Sequence, residues 1–233
     1  MSLNKKVLIT GSSSGIGLGI AKAFDDSGFE VILTGRNLEK LLTAVSEQKK
    51  SKNYFCGDLT NSDEIKKISE QHSDIDILIC NLGSGKSVPT GSESIEEWRR
   101  VFELNFFSTV QIIEAYRKIL IKNKGQVICI SSICANTAIG APATYSVAKA
   151  ALNAYVNNMS RFFGENDVRL NCVTPGNIIF SGSTWESKLK TDAEKVNRML
   201  ETEVPLRKFG TPDDIGKACL FLCSSDAQFI HGM

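Results

Sequence analysis

The stretch that decides the fold is KVLITGSSSGIG, residues 6–17. Its first five residues are apolar or β-branched after the leading lysine, which predicts a buried strand. Three glycines follow at the spacing Gly-x-x-x-Gly-x-Gly, and an amphipathic helix is predicted from Gly15 to Ser27. A glycine turn between a strand and a helix lets backbone N–H groups approach a phosphate at the positive end of the helix. The stretch therefore predicts a βαβ unit that binds a nucleotide.

The same alternation of short apolar runs and helical stretches continues along the chain. Further strands are predicted over residues 30–34, 54–56, 75–80, 126–131 and 168–173. Further helices are predicted over residues 38–48, 61–71, 95–120, 145–163 and 212–222. Strands that are apolar on both faces and separated by helices predict an α/β fold, a Rossmann-like doubly wound parallel sheet with helices on both faces. We expect a single domain over residues 1–233.

One stretch breaks this alternation. Residues 177–191 contain Gly182 and several serines and threonines, and they show neither a helical nor a strand period. An irregular segment of this length in a compact domain is usually a functional lid or a disordered segment. We therefore expect a lid over about residues 177–200.

Composition and charge restrict the classes of partner. The chain has 233 residues and a formal net charge of +1. Its densest basic stretch, at Lys118, Lys122 and Lys124, is explained by a solvated helix end, so neither nucleic acid nor an anionic membrane is expected as a partner. No apolar run is long enough to span a bilayer, and we expect no signal peptide, because residues 1–6 lack an apolar stretch followed by a cleavage site.

The cysteines and histidines indicate a reduced compartment and no metal site. The seven cysteines lie mostly in apolar segments, their number is odd, and no Cys-x-x-Cys pair occurs. These features indicate reduced core thiols and a cytoplasmic location. The two histidines, His72 and His231, have no partners at ligand spacing, so no metal is expected.

Two residues suited to proton transfer follow the fifth strand. Tyr145 and Lys149 are four positions apart in a predicted helix, which puts a phenol and an ammonium one turn apart on one face. A neighbouring cation favours the phenolate and moves the phenol pKa from about 10 toward neutrality. Such a phenol can donate a proton near pH 7. By itself this spacing is common, and a solvated helix face is the alternative interpretation.

The residue after the second strand bears on the choice of nucleotide. Dinucleotide-binding βαβ units that prefer NAD carry an acidic residue there for the 2′-hydroxyl of the adenosine ribose. This chain has Arg36 instead, and a guanidinium suits a 2′-phosphate. The sequence therefore favours NADP over NAD, with an ordinary turn arginine as the alternative interpretation.

Several motifs together resemble the short-chain dehydrogenase/reductase family, in its simple single-domain branch. They occur in family order over almost the whole chain: the turn at residues 10–17, Asp58-Leu59, Asn81-x-Gly83, Asn105, Ser131-Ser132, Tyr145-x-x-x-Lys149 and Pro175-Gly176. Many relatives with this pattern are 3-oxoacyl-[acyl-carrier-protein] reductases. The resemblance implies an NADP(H)-dependent oxidoreductase that transfers hydride between nicotinamide and a carbonyl or secondary alcohol.

The resemblance also implies a role for each site residue. Tyr145 would donate a proton to the substrate carbonyl oxygen, and Ser132 would bind the same oxygen. Lys149 would bind the nicotinamide ribose and lower the pKa of Tyr145, and Asn105 would hold a water in the relay to Lys149. Ser131 as the functional serine and Asn105 as a mere helix-kink residue are the alternatives. The family's cofactor contacts correspond here to Gly11, Ser13, Ser14, Gly15, Ile16, Gly17, Arg36, Asp58, Leu59, Asn81, Gly83, Tyr145, Lys149, Pro175, Gly176 and Ile178.

The chain departs from the family pattern in three places. Cys80 and Leu82 stand where the family usually has asparagine and alanine. Phe180 lies four residues after Gly176, where the family often has a threonine that bonds the nicotinamide carboxamide, so this contact is in question. Related proteins also continue into another strand after the equivalent of residue 233. We expect this strand to be missing here, because of either truncation or a sheet that ends with an exposed edge.

The expected substrate is a small-molecule carbonyl compound, a class that includes carbonyl compounds linked to a carrier through a thioester. The pocket should be framed by the residues after Gly83, by residues 133–143 and by the lid. Lys124 and Arg161 could receive an acidic carrier protein, although scattered surface charge explains them equally well. The family resemblance alone predicts a homodimer or homotetramer.

Three other functions compete with this interpretation. One is a dehydrogenase that acts on a sugar. Another is a non-catalytic NADP-binding sensor or scaffold protein, against which the intact set Asn105, Ser132, Tyr145 and Lys149 argues. A nucleotide-sugar epimerase is disfavoured, because that branch carries Gly-x-x-Gly-x-x-Gly.

Overall fold

The structure has the parallel sheet that the sequence predicts. The computed structural model describes residues 5–233. The strands within this range are β1 (Lys6–Ile9), β2 (Glu30–Gly35), β3 (Asn53–Cys56), β4 (Ile77–Cys80), β5 (Gln126–Ile130) and β6 (Arg169–Val173). All neighbouring pairs are parallel, and the order across the sheet is β3-β2-β1-β4-β5-β6. The chain therefore winds outward in both directions from β1 and β4, which confirms the doubly wound fold.

Helices cover both faces of this sheet. They are α1 (Gly15–Asp26), α2 (Leu38–Ser46), α3 (Ser62–Gln71), α4 (Ile95–Phe102), α5 (Ser108–Lys122), α6 (Ala143–Glu165), α7 (Thr184–Thr191), α8 (Ala193–Glu203) and α9 (Pro212–Leu222). A π-helical segment, Glu103–Phe107, joins α4 to α5, and a short 3₁₀ turn, Ile133–Ala135, follows β5. Among the residues that the structure describes, none of these helices combines the length and the apolar character needed to cross a bilayer.

The core lies in two layers because consecutive apolar residues of the central strands point to both faces of the sheet. In β1, Val7 and Ile9 pack against α1, α2 and α9, whereas Leu8 packs against α3, α5 and α6 on the other face. All three side chains are fully buried. Burial of an aliphatic side chain of this size stabilises a fold by roughly 1.5–3 kcal/mol, so a strand without polar positions is held only where both faces are covered.

The structure corrects the prediction of a lid without regular structure. The expectation of irregular chain over residues 177–191 is wrong for its second half, since α7 begins at Thr184 and α8 follows it. Ser183 and Asp192 are the N-caps of these helices and accept hydrogen bonds from Glu186 N–H and Lys195 N–H at 3.1 Å each. One of the serines that suggested a loop is the residue at which a helix begins. A serine hydroxyl favours turns, but it also accepts hydrogen bonds from the free N–H groups in the first turn of a helix.

The last described residues run along the outer edge of β6. Gly232 N–H donates to Leu170 O at 2.9 Å, and Cys172 N–H donates to Met233 O at 2.5 Å. The His231 ring joins β6 to α6. Its Nδ1 accepts a hydrogen bond from Leu170 N–H at 3.1 Å, and its Nε2 lies 2.7 Å from Ser160 O. The edge that the sequence left open is therefore covered at these positions.

Candidate active site

The glycine turn lies where the two halves of the sheet diverge. It follows β1, whose neighbour β4 ends beside it, so a crevice opens at the carboxyl ends of both strands. Gly11 and Gly15 have φ values of +64° and +57°, a region that residues with a Cβ rarely adopt. At Gly17 a Cβ would lie 2.5 Å from Asn81 Nδ2. Three glycines are thus required by the shape of this turn.

Hydrogen bonds of Thr10 and Asn81 hold the glycine turn against the end of β4. The Thr10 hydroxyl oxygen accepts from the backbone N–H groups of Asn81 and Leu82, at 2.9 Å each. The Asn81 side-chain amide donates to Thr10 O and Gly11 O at 3.1 Å each. Asn81 is a predicted cofactor contact, and its side-chain amide stabilises the turn through both of these hydrogen bonds. The structural role of Thr10 escaped the sequence analysis, although a hydroxyl at the last position before the turn was visible there.

The first turn of α1 suits the phosphates of a dinucleotide. Within the described chain, the side chain of the N-cap residue Ser14 makes no capping hydrogen bond, and the first turn of α1 carries no acidic residue. The N–H groups of Gly15, Ile16 and Gly17 are therefore left for an anion at the positive end of a twelve-residue helix. Ser13 packs at the end of β2, where a Cβ on Gly35 would lie 2.9 Å from its hydroxyl.

An aromatic ring covers one side of the turn. A Cβ on Gly15 would lie 2.7 Å from Cε2 of Phe180. The backbone of this segment is held by Ser183, whose hydroxyl accepts from Phe180 N–H at 3.3 Å, and at its base by a bridge between Ile178 and Gly210. A phenyl ring makes no hydrogen bond to a carboxamide, so Phe180 does not replace the family's threonine chemically.

Tyr145, Lys149 and Asn105 converge on the loop after β4. The Lys149 ammonium is buried and donates to Ile130 O at 2.8 Å. A Cβ on Gly83 would lie 2.7 Å from Asn105 Oδ1 and 3.3 Å from Lys149 Nζ, so the glycine fits between these side chains. The Tyr145 ring faces Gly85, where the corresponding distance is 3.8 Å. The structure thus brings three of the predicted catalytic side chains together.

Asn105 lies in the π-helical segment and holds the same loop. Its amide donates to Val101 O at 3.0 Å and to Ser84 O at 3.2 Å, while Oδ1 accepts from Ser84 N–H at 2.9 Å. Single π-helical turns occur frequently at functional sites. The helix distortion and the site position therefore coincide at Asn105, and the two interpretations from the sequence are compatible.

The two serines after β5 point in different directions. Ser131 is buried, and its hydroxyl donates to Lys149 O at 3.3 Å. Ser132 is half-buried, and its oxygen accepts from the thiol of Cys134 at 3.1 Å and from Cys134 N–H at 3.4 Å. Ser132 rather than Ser131 is therefore the serine that a bound molecule can reach. The sequence analysis did not single out Cys134, although its position two residues after Ser132 permits this local bond.

Burial dominates the electrostatics of the site. It raises the pKa of Tyr145 to about 12, the nearby Cys134 thiol adds to this, and a hydrogen bond with Ser132 acts in the opposite direction. Burial also lowers the pKa of Lys149 to about 8. The expectation that the pKa of Tyr145 moves toward neutrality is therefore wrong for this structure, in which the pKa is raised. The ammonium lies 5.9 Å from the ring centroid, and low dielectric disfavours both charged forms.

The other predicted nucleotide contacts lie along the same edge of the sheet. Arg36 Nη1 is 3.4 Å from Asp58 Oδ2, and both side chains are exposed. Asp58 Oδ1 accepts from the N–H and hydroxyl of Thr60, at 3.0 Å and 2.8 Å. Burial raises the pKa of Asp58, but these bonds and Arg36 together lower it below its ordinary value. The Leu59 side chain is buried in the core, so it offers no side-chain contact to a nucleotide.

Pro175, Gly176 and Ile178 form the opposite wall after β6. Pro175 O accepts from Ile133 N–H at 3.1 Å, and a Cβ on Gly176 would lie 3.6 Å from Ile133 Cδ1. The Ile178 side chain is buried in the core. Within residues 5–233, no three side chains of His, Cys, Asp or Glu come together in a way that could hold a metal.

Comparison with known proteins agrees with this architecture. A family model described as enoyl-(acyl carrier protein) reductase matches residues 11–233. A 3-oxoacyl-[acyl-carrier-protein] reductase from Rickettsia prowazekii (strain Madrid E) is 31% identical over 229 residues, which cover 98% of this chain and 92% of that protein.

Two solved structures extend the comparison. L-sorbose reductase from Gluconobacter frateurii, complexed with NADPH and L-sorbose, has a TM-score of 0.90 at 25% identity, covering 100% of this chain and 95% of that one. A 7α-hydroxysteroid dehydrogenase complexed with NADH and 7-oxo glycochenodeoxycholic acid has a TM-score of 0.89 at 28% identity, covering 99% and 91%.

Fold, site and relatives together define an oxidoreductase that transfers hydride with a nicotinamide cofactor. The chain belongs to the short-chain dehydrogenase/reductase family.

Proposed function

We propose that the chain is an NADP(H)-dependent carbonyl reductase, with 3-oxoacyl thioesters as the first substrate class to test. One observation carries the proposal. Lys149 lies against Gly83 and the Tyr145 ring against Gly85, in the loop at the carboxyl end of β4, and the Ser132 hydroxyl neighbours Tyr145. A protonated phenol, a hydroxyl and an ammonium in one crevice suit the reduction of a carbonyl group.

Each side chain has a defined task in this proposal. The bound nicotinamide supplies the hydride. The phenol of Tyr145, protonated at neutral pH because burial raises its pKa to about 12, donates its proton to the substrate oxygen. The Ser132 hydroxyl donates a hydrogen bond to the same oxygen and stabilises the negative charge that develops there. Lys149, anchored on Ile130 O at 2.8 Å, binds the ribose, and Asn105 orders the loop that completes the pocket.

The preference for NADP is carried by Arg36. Its guanidinium is exposed at the end of β2 and has a long contact of 3.4 Å with Asp58. A guanidinium has five N–H donors in a planar fork, and the contact with Asp58 leaves several of them free. A 2′-phosphate can accept hydrogen bonds from two of these N–H groups. The pyrophosphate would lie on the turn of Gly11, Ser14 and Gly15, and the adenine beside Asp58.

The substrate class follows from the apolar segment between β5 and α6. Ile133 and Ile139 are 36% and 46% exposed there, on the stretch that carries both Ser132 and Tyr145. An acyl chain matches such a surface better than a sugar does. The relative from Rickettsia prowazekii carries the name of a 3-oxoacyl-[acyl-carrier-protein] reductase, which also supports this class.

The basic residues suggested for a carrier protein do not support that partner. Lys124 pairs with Asp167 at 2.8 Å, and Arg161 pairs with Glu165 at 3.1 Å. Lys124 precedes β5, at the opposite edge of the sheet from Tyr145. A thioester is therefore proposed as the reacting group, without a docking surface at these residues.

Two alternatives keep a specific observation in their favour. A sugar reductase is supported by the similarity to L-sorbose reductase. A non-catalytic NADP-binding sensor is supported by Phe180, whose ring against Gly15 narrows the turn. The sensor would bind NADPH and turn over no carbonyl, whereas the sugar reductase would prefer polar ketones.

The test is NADPH oxidation with a panel of carbonyl compounds, containing 3-oxoacyl thioesters, keto-sugars and oxo-steroids. We expect the fastest turnover with the thioesters. Tyr145→Phe should lower the rate at least ~100-fold, the scale of a removed general acid, while fluorescence titration shows NADPH binding unchanged. Tyr54→Phe, a tyrosine on β3, is the matched control. Full activity of Tyr145→Phe would contradict the proposal.

We also propose that the protein is a homodimer or homotetramer in the cytoplasm. Phe107, at the end of the π-helical segment, is 44% exposed, and Val147 and Phe162 on α6 are 46% and 37% exposed. Exposed aromatics on neighbouring helices favour burial against a second copy. All seven cysteines are free, which suits a reducing compartment. Light scattering should give a mass above that of one chain, and Phe107→Glu should lower it.

A further inference from the structure

A thiol lies against the serine that the proposed function assigns to the substrate oxygen. Cys134 is in the 3₁₀ turn Ile133–Ala135, two residues after Ser132. Its sulfur is 3.1 Å from Ser132 Oγ and donates to it, and its backbone N–H donates to the same oxygen at 3.4 Å. The Cys134 side chain is 5% exposed, so solvent does not compete strongly for this contact.

These two contacts use the acceptor capacity of the Ser132 hydroxyl. A hydroxyl group has one O–H donor and two lone pairs. The backbone N–H of Cys134 takes one lone pair and the thiol takes the other, which leaves only the hydrogen free to bond. Sulfur is a weak acceptor, so the oxygen of Tyr145 is the better target for that hydrogen. Burial raises the pKa of Tyr145, whereas the neighbouring Ser132 hydroxyl lowers it, as expected for a hydroxyl whose hydrogen is directed toward the phenol oxygen.

We propose that Cys134 is a positioning residue, whose thiol holds Ser132 as a hydrogen-bond donor toward Tyr145 and the substrate carbonyl oxygen. The inference rests on the proposed role of Ser132. An oxygen that gains negative charge needs donors around it. With one lone pair free, the Ser132 hydroxyl has more than one orientation, and in some of them its hydrogen points away from the substrate. The thiol removes these orientations before the substrate arrives.

Infrared absorption of the S–H bond tests the contact without any turnover. A thiol that donates a hydrogen bond absorbs at lower frequency than a free one. The band that disappears in Cys134→Ala should lie at the lower frequency in the wild type and move to higher frequency in Ser132→Ala. A band that stays in place when the Ser132 hydroxyl is removed would overturn the proposal.

A double-mutant cycle tests the positioning role. With NADPH and a short 3-oxoacyl thioester, Cys134→Ala should lower kcat about 3- to 10-fold, the worth of one weak hydrogen bond, with little change in KM. In the Ser132→Ala background the same change should have no further effect, since no hydroxyl is left to orient. Equal losses of kcat in both backgrounds would show a merely structural effect and overturn the proposal.

Two further variants complete the design. Cys134→Ser keeps a donor on the same Cβ and should retain kcat within about 2-fold of the wild type; a loss as large as that of Cys134→Ala would overturn the proposal. Cys223→Ala removes a thiol of similar burial, 8% exposed, after α9, and should leave kcat unchanged. If it lowers kcat equally, the effect belongs to any lost thiol. If the wild type reduces no carbonyl, the proposed function fails while the infrared result still decides the contact.

Discussion

Arg36→Ala should change the cofactor preference of the enzyme more than any other single substitution. The side chain lies at the end of β2 and is 67% exposed, with Asp58 Oδ2 at 3.4 Å as its partner. The adenosine ribose of a bound dinucleotide would lie at this end of β2. The 2′-substituent on this ribose is the one difference between NADP and NAD.

The magnitude follows from the bonds that are lost. Hydrogen bonds to charged groups contribute about 1.5–3 kcal/mol, and tenfold in Kd corresponds to about 1.4 kcal/mol. A two-pronged guanidinium–phosphate contact would reach the upper end, but solvent screening at this exposed site reduces it. The substitution also leaves the Asp58 carboxylate, which is charged at neutral pH, without its arginine partner and near the phosphate. We therefore expect NADPH to bind about 10- to 100-fold more weakly, and NADH within about 3-fold of the wild type.

Fluorescence titration with NADPH and NADH measures both constants directly. Raising the ionic strength should weaken NADPH binding to the wild type and have less effect on Arg36→Ala, because the screened charge pair is gone. Arg36→Lys should lie between the two, since it keeps the charge and loses the planar fork. Arg161→Ala removes an exposed arginine that also has one acidic partner, Glu165 at 3.1 Å, and should change neither constant. Equal losses for both nucleotides in Arg36→Ala would refute the assignment.

Three further outcomes are expected. Gly17→Ala places a Cβ 2.5 Å from Asn81 Nδ2, so calorimetry should show NADPH binding lost and stability reduced by about 1–3 kcal/mol, as for an overpacked core; wild-type binding would contradict the packing argument. Asp25 is buried and accepts from Lys49 N–H at 2.6 Å and Ser51 N–H at 2.7 Å. Burial raises the pKa of Asp25, but these bonds together lower it, so its contribution to stability is present above the unfolded pKa of about 4 and is lost as the pH falls through the lower folded value. Asp25→Asn should remove that part of the acid dependence in urea titrations, and an unchanged profile would argue against it. Because burial lowers the pKa of Lys149 to about 8, reduction rates should fall above pH 8. Stability should rise over the same range up to the unfolded pKa of about 10.4, since the unfolded state binds more protons there; a rate that stays constant to pH 10 would show that the ammonium is not needed.

The strands and the glycine turn could be predicted because local chemistry determines them. Val7, Leu8 and Ile9 are apolar without alternation, and only a strand covered on both faces buries all three. Gly11 and Gly15 are required by backbone geometry that no other residue adopts easily. In both cases the reason lies within a few residues, so the sequence contains it.

The helices α7 and α8 could not be predicted in the same way. Their N-cap residues, Ser183 and Asp192, are typical of loops as well as of helix starts. What distinguishes the two is the position of the preceding chain, which the bridge between Ile178 and Gly210 fixes. That contact joins residues more than thirty positions apart, and no local pattern records it. The serine-rich composition therefore suggested a longer irregular segment than the structure has.

The pKa values of the site were beyond the sequence for a related reason. The spacing of Tyr145 and Lys149 fixes their order on α6, but it does not fix how much water surrounds them. In the structure, Lys149 is almost fully buried and donates to Ile130 O at 2.8 Å. Desolvation acts on both groups and opposes charge on each, which outweighs their mutual effect at this separation.

This balance has a consequence for the direction of the reaction. With the pKa of Tyr145 near 12 and that of Lys149 near 8, both groups hold their protons at pH 7. Reduction of a carbonyl needs a proton donor and a positive neighbour for the developing alkoxide, and this protonation state supplies both. Oxidation of an alcohol needs the phenolate instead, which burial makes costly. A Ser132 hydroxyl that Cys134 holds as a donor, as proposed above, would also stabilise the negative charge on the substrate oxygen. Reduction at pH 7 therefore starts from the protonation state that both residues already have, whereas oxidation requires the phenol to lose its proton first.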